Sequence, residues 1–119
     1  MARSEDGFTL IEVLTVVMVL SVLIAIVVTF QIGARERAED ATAKSNIRVA
    51  VPAIEAWRAD NGGYSGMTQA SLASQYSPGI QGIVVVSAGA ASYCVSAPAG
   101  SRAWYKAGPD AQITATACS

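Results

Sequence analysis

From Val13 to Ala34 the sequence carries no charged residue. At about 1.5 Å of helical rise per residue, that stretch reaches roughly 30 Å, the thickness of a bilayer hydrocarbon core. Val, Ile and Leu recur on every side of it with no polar stripe at helical spacing. The segment therefore predicts a helix that expects apolar surroundings all round, either lipid or other copies of itself. A secretory signal would be shorter, start basic and end in a small-residue cleavage site, whereas this run leads into Gly33-Ala34-Arg35-Glu36-Arg37. The chain has 119 residues, 52% hydrophobic and 14% charged. One span and one small domain are what that length can hold.

Composition narrows the function. Net charge is −1, and no run of Lys or Arg is long enough to follow a phosphate backbone, so nucleic-acid binding finds no support. Histidine is absent and the cysteines are Cys94 and Cys118. That removes most zinc sites, haem ligation and every His-based triad, and no GxSxG pattern occurs. Neither an enzyme nor a cofactor is expected.

Glu12 stands near the N-terminal edge of the apolar helix. An ionised carboxylate would cost up to about 2.5 to 3.5 kcal/mol at mid-membrane depth, so it needs a partner or a shallow, watered position. The string Gly7-Phe8-Thr9-Leu10-Ile11-Glu12-Val13-Leu14 closely resembles the N-terminal motif of type IV pilins and of the pseudopilins of type II secretion systems. The resemblance implies that a membrane aspartic protease, the prepilin peptidase, cuts after Gly7 and that Phe8 becomes the N-methylated first residue. It also implies that Glu12 attracts the Phe8 amine of a neighbouring subunit during assembly. The physics agrees: cleavage creates a cation one helical turn from the acid, and such a pair gains most where water is scarce.

The family pattern is not followed everywhere. The segment Met1 to Gly7 sets Arg3 against Glu5 and Asp6, where leaders of the family are commonly basic. Ser21 and Thr29 stand where many members carry a helix-loosening glycine and proline. Arg35, Arg37, Lys44 and Arg48 follow the span, so the positive-inside rule alone would put the C-terminal part in the cytoplasm. The resemblance implies the opposite, a single-pass precursor in the inner membrane with its C-terminus outside, and a paired cysteine suits that side.

Beyond the span, Arg35 to Asp60 reads as an amphipathic continuation of the helix. Ile47, Val51, Ile54 and Trp57 lie on one side, and Arg35 with Glu39 and Asp40 with Lys44 offer i,i+4 pairs. Pro52 predicts a kink near Arg48 to Pro52, and Asp60-Asn61-Gly62-Gly63 a helix end. The stretch Ala53 to Tyr64 again resembles the family, whose helix commonly closes on Asp-Asn-Gly and a tyrosine, and Tyr64 reads as packing over that end. Thr68 predicts the cap of a short helix to Tyr76. Segments Ile83–Ser87, Ser92–Ala97, Arg102–Lys106 and Gln112–Ala117 read as short strands of a small antiparallel sheet.

The expected fold is α+β: a long N-terminal helix packed on a small antiparallel sheet. Its parts are a leader at 1–7, a membrane or filament-core helix at 8–34, an amphipathic half at 35–61 and a sheet domain at 62–119. So few residues after Asn61 cannot bury a self-sufficient core, which invites a covalent staple between Cys94 and Cys118, with two buried thiols as the alternative. Many type IV pilins close a comparable C-terminal loop with a disulfide.

The resemblance implies a pilus subunit that polymerises with copies of itself into an extracellular filament, helped by an assembly ATPase and a membrane platform. Such filaments serve adhesion, motility or secretion. A pseudopilin is the alternative. The major pseudopilin commonly binds calcium, but Asp110 is the sole acid after Asp60, too few for such a site. From another class, a single-span protein with a small binding domain would display Trp57, Trp104 and Tyr105 as recognition residues.

Overall fold

The computed structural model describes residues 7–119. The expected leader thus lies outside the described residues except for Gly7. The order is α1 (Leu10–Asn61), α2 (Gln69–Gln75), β1 (Val84–Ala88), β2 (Tyr93–Ala99), β3 (Arg102–Gly108) and β4 (Ile113–Thr114). The chain divides into two compact units between Arg35 and Glu36.

The first unit is the apolar part of α1. Its side chains are exposed throughout, and α1 is the one helix among the described residues long and apolar enough to cross a membrane. Its hydroxyls are satisfied within the helix. Thr15 Oγ1 donates to the Ile11 carbonyl at 2.8 Å, Ser21 Oγ to Val17 at 2.7 Å and Thr29 Oγ1 to Ala25 at 3.0 Å. Bonded back four residues, these groups leave no orphaned donor that would bar the helix from hydrocarbon, and the helix runs unbroken through Ser21 and Thr29.

In the second unit the rest of α1 packs on a four-stranded antiparallel sheet of order β1-β2-β3-β4. Ala43, Ile47, Ala50, Ala53 and Ile54 are buried on the helix side, spaced as one helical face. The alanines leave room for the sheet to approach, and Ile47 and Ile54 fill the space between. β2, one of the two inner strands, buries Tyr93, Cys94, Val95, Ala97 and Ala99. The helix passes through Pro52; Arg48 and Pro52 are both exposed, so the bond that proline removes lies on a side open to water.

The helix ends at Asn61, and Gly62 follows with a positive φ of 75° and its N–H on the Arg58 carbonyl at 2.8 Å. That left-handed step is the glycine cap its sequence predicts. Tyr64 is fully buried, edge-on to Tyr93 with ring centroids 4.7 Å apart, and donates to Glu55 Oε1 at 3.0 Å. Thr68 caps α2 in a reciprocal box with Ser71.

Two local expectations change. The Asp40 carboxylate is engaged across the unit instead of along the helix to Lys44. Its Oδ1 accepts from Trp104 Nε1 at 3.0 Å and pairs with Arg102 Nη2 at 3.0 Å, while the Lys44 ammonium lies 3.9 Å from the Trp104 ring centre. A half-buried carboxylate with an indole donor gains more there than from an exposed helical pair. Asp40→Ala is therefore expected to cost about 2 kcal/mol, read by urea unfolding followed through tryptophan fluorescence. The last strand is also shorter than Gln112–Ala117. β4 pairs with β3 at Thr114 and Ile113 alone, because Cys118 is bonded to Cys94 on β2, with Cα atoms 5.8 Å apart. To reach a strand beyond β3, the chain must leave the sheet edge soon after Thr114.

Tyr64 and Tyr93 have phenol pKa values raised above the ordinary 10.0, first by burial and then by the Glu55 carboxylate. The Tyr93 hydroxyl has no hydrogen-bond partner among the described residues, and its ring fills the space a side chain would need at Gly108. A raised folded-state pKa means the native state prefers the neutral phenol. That stability is fully present below about pH 10 and is lost as pH climbs beyond it. In a Tyr76→Phe, Tyr105→Phe background, which leaves only the two buried phenols, alkaline titration should show phenolate absorbance rising together with loss of the sheet's circular dichroism; ionisation of both phenols in a still-folded protein would contradict this burial.

Candidate assembly site

The motif residues gather at the start of α1. Gly7, Phe8 and Thr9 precede the first helical residue, Leu10. Thr9 caps the helix: its Oγ1 accepts from the Glu12 N–H at 3.2 Å, and its carbonyl from the Val13 N–H at 3.2 Å. Thr9-Leu10-Ile11-Glu12 thus has the spacing of a capping box. Reading the sequence for membrane length alone overlooks this, although a Thr followed three residues later by Glu is its signal.

This cap places Glu12 in the first helical turn. There the partial positive charge of the helix N-terminus favours an anion. Among the described residues, no hydrogen bond or ion pair occupies the carboxylate itself. Phe8 lies four residues before it and is 78% exposed. Gly7 and Phe8 sit ahead of the helix, outside regular secondary structure and exposed, where a protease can reach them. A cut between them would put a primary amine just before the cap. Chemically, then, this end of the molecule offers an exposed Gly7–Phe8 peptide bond and a carboxylate with no partner among the described residues.

Cys94 and Cys118 are joined to each other, and among the described residues no three His, Cys, Asp or Glu side chains gather as metal ligands. Trp104 is occupied by Asp40 and Lys44, and Trp57 packs on the core.

The prokaryotic N-terminal methylation motif, as a sequence family, matches residues 2–28. Over 117 residues the chain is 33% identical to the type IV wide pilus major component PilA4 of Thermus thermophilus, covering 96% of this chain and 89% of that protein. The chain belongs to the type IV pilin family. The pilin is also similar to type II secretion system core protein G. Identity is 34% over 67 residues with the Pseudomonas aeruginosa protein, covering 56% of this pilin and 47% of that relative. With the Vibrio cholerae protein it is 36% over 62 residues, covering 52% and 42%. These relatives are named as components of a pilus and of a secretion system.

Proposed function

We propose that this pilin is a structural subunit of a type IV pilus. It is held in the inner membrane as a precursor by the apolar part of α1, cut after Gly7 by a prepilin peptidase, methylated on Phe8 and built into a filament with copies of itself. The observation that carries the reading is Glu12, whose carboxylate has no partner among the described residues and stands at the start of an unbroken apolar helix. Lipid and helix are equally apolar, so moving from membrane to filament brings little hydrophobic gain, and packing contacts with charge pairing must set the register. An ATPase and a membrane platform would supply the work of extraction. The sheet domain, with its cysteines joined, would lie outside the cytoplasm.

The pilin relative supports this reading over the pseudopilin one because its similarity extends across the sheet domain, whereas the secretion relatives match about half of this chain. To test it, shed fibres are sheared from cells and their subunit is weighed intact. The expected mass lacks Met1 to Gly7 and carries one extra methyl group. Cells that express the protein yet shed no fibre containing it would overturn the proposal.

A further inference from the structure

The sheet has two unlike edges. β1 is outermost in the order β1-β2-β3-β4, and among the described residues no backbone hydrogen bond beyond its pairing with β2 engages Val84–Ser87. Natural edge strands are usually guarded by charges or proline. Here the whole stretch from Asn61 to Ser101 is uncharged, and β1 contains no proline. Val84 is 55% and Val86 45% exposed. The register of β1 on β2 shifts between Val85 and Ser87, a bulge that resists continuous strand addition and leaves the valine side chains as the contact.

At the other edge the strand β4 is two residues long. Beside it, between α1 and the chain after β3, lies an open groove of about 400 Å³ lined by Arg48, Val51, Pro52, Lys106, Asp110 and Ile113. Val51, Pro52 and Ile113 make it partly apolar. Lys106 Nζ donates to the Ala111 carbonyl at 2.6 Å, while the Arg48 guanidinium has no partner among the described residues.

Open-ended polymers are held by heterologous contacts, in which one patch of a molecule meets a different patch of the next. An apolar projection on one edge and a groove by the other edge are such a pair. We infer that Val84 and Val86 of one copy seat in the groove of a second copy, with Arg48 donating to the open carbonyls of β1. The match is of donor to acceptor: a strand whose outer carbonyls have no partner among the described residues meets a partly apolar groove whose rim carries the Arg48 guanidinium. This inference rests on the filament reading and adds to it a contact between the sheet domains.

The test uses the full-length protein in cells. Val84→Lys brings a cation to Arg48 and is expected to lower filament yield at least tenfold while the processed subunit stays in the membrane at its usual level. Val84→Glu should keep yield within about threefold, and Val84→Lys with Arg48→Glu should recover it. A photo-crosslinking residue at position 86 should link copies within filaments, with the adduct mapping to 48–52 or 113, which keeps the test decisive even if a charged variant misfolds. Equal effects of lysine and glutamate without recovery, or adducts mapping elsewhere, would overturn the inference. Both outcomes require the unaltered protein to polymerise, and its failure to do so would instead overturn the filament reading.

Discussion

Glu12→Val is expected to leave a subunit that is processed, methylated and retained in the membrane, yet absent from filaments. The substitution suits the bilayer, since it removes a carboxylate that costs up to about 3 kcal/mol at depth. Membrane level should therefore hold or rise. In the filament the Phe8 amine of the neighbour would then be buried without its counter-ion, and breaking a buried pair from one side costs about 3 to 5 kcal/mol. That corresponds to roughly two to four orders of magnitude in the assembly equilibrium. Glu12→Gln, which keeps a hydrogen-bond acceptor, should fall between valine and the parent. The Thr9 cap does not depend on the acid, because the group it receives is the backbone N–H of residue 12. Sheared-fibre yield set against membrane content measures the effect, and normal fibre yield from the valine variant would contradict the assigned role.

Removing the disulfide is expected to have the second large effect. Cys94 and Cys118 are 24 residues apart in sequence, and closing a loop of that size restricts the unfolded chain by about 3 kcal/mol. A small domain has little stability to spare. The bond also holds the C-terminal segment, whose strand pairing is confined to Ile113 and Thr114. Cys118→Ser should lower the urea midpoint of the sheet domain and expose the chain after Gly108 to protease, while the apolar helix remains membrane-held. An unchanged midpoint would mean that the tail is fixed by contacts other than the staple.

What the sequence made readable follows the range of the forces involved. Local signals were sufficient for the helix end at Asn61-Gly62, where the residue itself supplies the left-handed step, and for the Thr68 cap, where donor and acceptor are three residues apart. The length of the span needs nothing but an uncharged run. Longer-range features were not readable in this way. Asp40 has a suitable cation four residues on, and its preference for Trp104, 64 residues away in sequence, is decided by the depth at which β3 meets the helix. The β-prone run Gln112–Ala117 predicts a longer β4, but the tether to β2 overrides local strand preference. The Thr9 cap is the reverse case, a short-range signal hidden beneath a stronger one, because the following residues are read first as membrane.

Under the proposed function, Glu12 is tolerated in an apolar core because processing gives a neighbour the charge that neutralises it. The most direct measurement is the separation between the Phe8 nitrogen and the Glu12 carboxylate of adjacent subunits in a filament map resolved to side chains. Chains that begin at Phe8 are expected, with the two groups within ion-pair reach, about 4 Å. Subunits that retain residues 1–7, or a carboxylate held apart from every neighbouring amine, would contradict it.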